Sequence, residues 1–149
     1  MNYLDTSALI KRFVDERGTP LVQAILAREG LFATANIAYA EVYAGLARRH
    51  RERDLSPAEY AGACRQFEHD WQGCLRVDLS GPVLDVARQL IQRHPLKGFD
   101  AIHLASAYRL HTELGEAITF VAADNRLLRA AEAEGLTIIN PESPAAHRH

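Results

Sequence analysis

Five short apolar runs, at 2–4, 31–34, 75–79, 118–122 and 137–139, alternate along the chain with stretches whose apolar residues recur at helical spacing. No feature constrains the fold more. Runs this short and this apolar suit strands buried on both faces, not the alternating inside–outside pattern of a solvated sheet. Strands of that kind separated by helices form a parallel sheet covered by helices on both sides. The expectation is an α/β fold in which ligands gather beyond the carboxyl ends of the strands, at a switch in strand order.

The helical patterns have recognisable beginnings and ends. Residues 6–16 carry Leu9, Ile10, Phe13 and Val14, residues 20–28 carry Leu21, Val22, Ile25 and Leu26, and residues 37–53 carry Tyr39, Val42, Tyr43 and Leu46. The patterns at 56–73 and 81–93 open on Ser-Pro and on Ser80 with Pro82 just inside, both good helix starts. Those at 99–113 and 125–134 run into Gly115 and Gly135, as helix stops. Residues 1–140 read as one domain, and 149 residues bury a full core without disulfides or structural metal. The tail 141–149, with Pro141, Pro144 and few apolar groups, reads as flexible, and its His147 and His149 as solvated rather than metal-binding.

Cys64 and Cys74 stand ten residues apart, matching neither a redox pair nor a zinc knuckle. Tyr60, Cys64, Phe67 and Trp71 follow helical spacing, so Cys64 reads as a small core residue. No apolar run approaches the roughly 18 residues of a membrane span, and Met1-Asn2-Tyr3-Leu4-Asp5 has no signal-peptide character. A cytoplasmic, reduced protein away from membranes is expected. The net charge of −2 speaks against a binder that holds nucleic acid by bulk positive charge.

The acids fall where ligands are expected. Asp5 follows the first strand directly and Asp124 the fourth, so the two meet if those strands are neighbours. Asp100 opens the helix at 99–113, and Glu41 lies inside the helix at 37–53. Asp5, Asp124 and Asp100 each have a plain alternative as helix N-caps. Glu41 does not. It projects away from the face of Tyr39, Val42, Tyr43 and Leu46, and either pairs near Arg48 or reaches into a shared cleft. Four converging carboxylates repel one another unless protonated or bridged by a cation, and hard oxygen-loving Mg²⁺ or Mn²⁺ suits them. No His or Cys completes a zinc set, and His103, one turn past Asp100, reads as a packed or hydrogen-bonded histidine. An oxygen-only Mg²⁺ site points to phosphate chemistry.

Leu4-Asp5-Thr6-Ser7-Ala8-Leu9, Ala40-Glu41-Val42, Phe99-Asp100-Ala101-Ile102-His103-Leu104-Ala105 and Val121-Ala122-Ala123-Asp124 together resemble the PIN-domain family, and within it the VapC-type toxin ribonucleases of VapBC toxin–antitoxin pairs. The resemblance runs from the first strand to about Asn140, with the motifs in family order. It implies a PIN-like three-layer α/β/α fold with a five-stranded parallel central sheet. It also implies catalytic and metal-holding roles for Asp5, Glu41, Asp100 and Asp124, with Mg²⁺ or Mn²⁺ as cofactor. The implied activity is endoribonuclease cleavage of RNA phosphodiesters, leaving a 5′-phosphate and a 3′-hydroxyl. A cognate VapB-type antitoxin and a homodimer are the implied protein partners. Ala122 stands where many members have Ser or Thr, and Asn125-Arg126-Leu127-Leu128 where some carry a further acid.

Thr6 and Asn125 are candidate hydrogen-bond partners of the site acids. Arg48, Arg49, Arg51, Lys97 and Arg126 are candidate RNA contacts, with Lys11, Arg12 and Arg129 near other motif residues. Of the 17 basic residues 15 are Arg, which favours bidentate phosphate contacts. An Arg-rich end of the helix at 37–53 also has a plain reading as a solvated terminus. A phosphoaspartyl hydrolase is disfavoured because Ser7 replaces the second acid of an Asp-x-Asp motif. The remaining alternatives are a silent PIN-like module that binds RNA or protein, and a PIN nuclease outside a toxin role. A pure binder of a polyanion gains nothing from clustered acids.

Overall fold

In the computed structural model, which describes residues 1–143, the apolar runs become five parallel strands: β1 (Asn2–Leu4), β2 (Phe32–Ala35), β3 (Leu75–Val77), β4 (Thr119–Val121) and β5 (Thr137–Ile139). They pair in the order β3-β2-β1-β4-β5, with Asn2, Tyr3 and Leu4 opposite Thr119, Phe120 and Val121. The chain steps outward from β1 in one direction and then returns to its other side at β4. The switch in strand order therefore falls between β1 and β4, the pair that Asp5 and Asp124 follow.

Alternation along each strand feeds two cores. Tyr3 and Phe120 point to one face, where α5 (Gly81–Arg93), α6 (Gly98–Leu114) and α7 (Asn125–Ala133) supply Val83, Leu90, Leu104 and Leu127. Leu4 and Val121 point to the other. There α1 (Thr6–Leu9), α2 (Thr19–Glu29), α3 (Ala38–Arg51) and α4 (Pro57–Gly73) supply Leu9, Val22, Leu46 and Phe67. The three-layer α/β/α arrangement is the expected one. No helix among the described residues is long and apolar enough to cross a membrane.

Three local expectations are corrected. The helix at 6–16 stops at Leu9, continues as a 3-10 turn over Ile10–Arg12 and then turns back. The Thr19 hydroxyl donates to the Val14 carbonyl and accepts from the Glu16 N–H, capturing groups a longer helix would need. On α3 the inner face is Ala38, Val42 and Leu46, while Tyr39 is exposed and donates, with Tyr43, to Glu68 on α4. At the C-terminus, Pro141 is buried and Glu142 pairs with Lys11 at 2.5 Å, so the chain is packed as far as Ser143. Residues 144–149, the rest of the tail expected to be flexible, lie outside the described residues.

Gly45 sets how closely α3 approaches the first turn of the chain. A Cβ there would stand 2.5 Å from Ile10 Cδ1, so any side chain would require the Ile10 side chain to shift. The partly buried Cys64 packs beside the Phe67 core, as expected of a small apolar residue.

Candidate functional site

The four acids reach the β1–β4 edge by different routes. Asp5 leaves β1 and caps α1: its Oδ1 accepts from the Ala8 N–H at 3.0 Å and the Ser7 hydroxyl at 2.7 Å. Asp124 leaves β4 and caps α7, its Oδ1 accepting from the N–H groups of Arg126 and Leu127. Glu41 comes from the first turn of α3, its Oε1 accepting from Thr6 Oγ1 at 2.5 Å and lying 2.8 Å from His103 Nε2. Asp100 sits in the first turn of α6 and makes no capping bond; Lys97 holds the N-cap position. The capping alternative thus applies to Asp5 and Asp124 and fails for Asp100, while Glu41 reaches into the cleft.

A common pattern emerges. Asp5, Glu41 and Asp124 each tie one carboxylate oxygen to protein donors, and no donor of the described residues reaches the other. No donor of the described residues reaches either oxygen of Asp100. Asp5 is only 4% exposed, and burial, with the nearby Asp100 charge adding to it, pushes its carboxyl up to about 6 against the pull of His103, Ser7 and Ala8. Asp100 is raised as well, by burial first and then by Asp124. Burial alone would raise Glu41, but the hydrogen bonds from His103 and Thr6 outweigh it and hold it below its ordinary value.

Uncompensated negative charge around open oxygens is a donor set for a hard divalent cation. Among the described residues no three His, Cys, Asp or Glu side chains draw close enough to hold an ion by themselves. A hard divalent cation beside them would complete its shell with water and phosphate oxygens. The residues present fit such an ion.

Two clefts flank the acids. One, of about 520 Å³, is lined by Glu41, Thr6 and Ser7 together with Lys11, Arg48 and Arg49. Lys11 is buried against Glu16 and Glu142, and Arg49 pairs with Glu16 at 3.1 Å, which leaves Arg48 without an ion pair among the described residues. The second cleft, of about 400 Å³, joins Asp100 and Asp124 to Lys97, Arg126 and Arg129, none of them in an ion pair with a described residue. Arg51 ends α3 outside both clefts, and Arg12 pairs with Asp70 in a cavity near the N-terminal end of β2.

Of the two candidate hydrogen-bond partners, Thr6 contacts Glu41, whereas the Asn125 side chain accepts from Asn140 at 2.9 Å and braces the C-terminal turn. Sequence reasoning missed Ser7, which donates to Asp5 and accepts from the Ala123 N–H, tying the ends of β1 and β4 together. Its place two residues after a strand-end Asp was the available signal. It also missed Tyr3, whose hydroxyl lies 2.8 Å from His103 Nδ1.

The family model described as "PIN domain" matches residues 3–133. Ribonuclease VapC49 of Mycobacterium tuberculosis is 36% identical over 137 residues, covering 91% of this chain and 92% of the relative. Ribonuclease VapC46 of the same species is 34% identical over 139 residues, covering 93% and 96%. Among solved structures, a chain of a toxin–antitoxin complex from Klebsiella pneumoniae superposes with a TM-score of 0.61 at 20% identity, covering 95% of this chain and 98% of its own length. A chain of FitAcB from Neisseria gonorrhoeae gives 0.62 at 17% identity, with the same coverage. These two likenesses speak for the fold, and the family match and the curated relatives settle membership: the chain belongs to the PIN-domain family.

Proposed function

We propose that this protein is the toxin of a VapBC-type pair, an endoribonuclease that depends on Mg²⁺ or Mn²⁺. The observation that carries the reading is the set of carboxylates at the β1–β4 switch point, each with an open oxygen and with free cations in the clefts beside them. Relatives at 36% and 34% identity bear the name ribonuclease VapC, and one neighbour in fold is part of a toxin–antitoxin complex.

In this reading Asp5, Asp100, Asp124 and Glu41 hold the metal. When bound, Mg²⁺ or Mn²⁺ would supply Lewis-acid polarisation of the phosphodiester and activation of water for attack at phosphorus. The chain's own residues position and screen. Ser7 and the Ala8 N–H fix Asp5, the α7 N-terminus fixes Asp124, and Thr6 fixes Glu41. Arg48 on one side and Lys97 and Arg126 on the other contact the RNA backbone, as charge-assisted partners of phosphate. The protein partner is a VapB-type antitoxin, the chain works as a homodimer, and its compartment is the cytoplasm.

The decisive experiment incubates total RNA with the protein and Mg²⁺ or Mn²⁺ and maps the cut ends, with Asp5→Asn as control. Cleavage by the parent that is lost in Asp5→Asn is the expected result. Equal cleavage by both would sink the assignment. Growth arrest on expression without antitoxin tests the toxin role, and harmless expression of active enzyme would point to a different one.

A further inference from the structure

His103 lies at the centre of a hydrogen-bonded chain that joins three elements far apart in sequence. Its ring is 2% exposed on α6, with Nδ1 2.8 Å from the Tyr3 hydroxyl on β1 and Nε2 2.8 Å from Glu41 Oε1 on α3. The valences settle the direction of the bonds. A carboxylate oxygen only accepts, so Nε2 carries a hydrogen and donates to Glu41. In the neutral ring Nδ1 is then a lone pair that accepts the Tyr3 O–H. Tyr3 itself has no freedom to give. It is wholly buried, stacked on Phe120 with ring centres 5.4 Å apart and interplanar angle 7°, and edge-on to His103.

We propose that His103, oriented by Tyr3, is a positioning residue that fixes the Glu41 carboxylate so that its open oxygen faces the other acids. Glu41 needs such help more than its neighbours. It is the longest of the four acid side chains, stands on a helix, and has no backbone N–H to grip it as Asp5 and Asp124 have. Thr6 supplies one donor to Oε1, and His103 supplies the second from the opposite element. Two donors converging on one oxygen restrict rotation about the last side-chain bond, leaving Oε2 as the only oxygen available to a cation. The inference rests on the nuclease reading for the reaction it assists, but Glu41 orientation is measurable without RNA.

The test compares the parent with His103→Leu, His103→Gln and Tyr3→Phe. Mn²⁺ affinity is measured by calorimetry without RNA, and kcat and KM on a short RNA. His103→Leu is expected to weaken Mn²⁺ binding and lower kcat by about tenfold or more, with KM for RNA little changed. His103→Gln keeps a side-chain N–H donor and recovers most of both. Tyr3→Phe, which removes one oxygen from a packed ring, shows a smaller loss of the same kind. Folded His103→Leu with parental Mn²⁺ affinity and kcat would overturn the proposal, and so would a His103→Gln no better than His103→Leu. Should His103→Leu fail to fold, the Gln and Phe variants decide by the same two measurements. A parent that binds Mn²⁺ but cuts no RNA removes the nuclease reading and leaves calorimetry to judge His103. A parent that takes up no Mn²⁺ overturns both.

Discussion

Asp5 and Asp124 both follow a strand and both cap the next helix with a single carboxylate oxygen, yet they stand in opposite surroundings. Asp5 is buried at the N-cap of α1, held by the Ser7 hydroxyl and the Ala8 N–H, and burial makes its ionised form expensive. Asp124 is exposed at the start of α7, beside a cleft that also holds Lys97, Arg126 and Arg129. In the cleft on the Asp5 side two of the three cations, Lys11 and Arg49, are paired with Glu16 and Glu142; in the cleft beside Asp124, Lys97, Arg126 and Arg129 have no ion pair with a described residue. A site built this way divides labour. The acids at the sheet edge are set to attract and orient a cation, and the unpaired cations, most of them beside Asp124, to meet the polyanion that the cation acts on.

The largest effect is on cleavage. Asp5→Asn and Asp100→Asn should each bring Mg²⁺-dependent cutting of RNA below detection while circular dichroism remains parental. Removal of Mg²⁺ by chelation should do the same to the parent. Activity that survives Asp5→Asn but not Asp100→Asn would remove Asp5 from the acids that hold the cation.

The next effect is on stability and has opposite signs at Asp5 and at Asp124. With chelator at pH 7.5, Asp5→Asn should stabilise the protein by about 2 kcal/mol in urea unfolding, because it removes a buried charge whose ionisation folding opposes. A carboxyl raised from 3.8 to about 6 binds its proton in the folded state while the unfolded chain has lost it. The parent therefore recovers stability as pH falls through 6 toward 3.8, and the advantage of Asp5→Asn should shrink to nothing near pH 4. Mg²⁺ should reverse the ranking, since only the parent gains its full binding energy. Asp124→Asn should instead cost about 0.5 kcal/mol at pH 7.5, through loss of a charge at a helix N-terminus. A melt of the parent that ignores Mg²⁺ would count against a shared ion.

How much of this was legible beforehand depends on sequence distance. Asp5 and Asp124 were readable because each sits at the end of an apolar run, and parallel strands bring such ends together. Glu41 was readable because helical projection turned it away from Val42 and Leu46. His103 was seen as bonded or packed but not as part of the site, because its partners lie 100 and 62 residues away and no local pattern encodes them. The end of α1 at Leu9 escaped because the apolar spacing continues through Val14, while a side-chain hydroxyl at Thr19 decides the matter. Asn140 likewise gave no sign that it would brace Asn125 and receive the Glu142 N–H. Periodicity reports burial, and polar tertiary partners have no period.

The smallest effects belong to the cations. Lys11 and Arg49 line the cleft on the Asp5 side but spend their charge on Glu16 and Glu142, whereas Lys97 and Arg126 have no ion-pair partner among the described residues. Counterion release makes each phosphate contact visible as a slope of affinity against salt. Lys97→Ala and Arg126→Ala should each raise KM for RNA and reduce that slope by about 1, with kcat near the parental value. Arg48→Ala should do the same from the cleft on the Asp5 side, whereas Arg51→Ala, outside both clefts, should leave the slope alone. Arg49→Ala should register first as lost stability, since it leaves Glu16 with a single partner. If the slope instead falls equally for Arg49 and for Lys97, a cation already paired within the protein holds RNA as well as an unpaired one, and the distinction between cations spent on the fold and cations kept for phosphate does not stand.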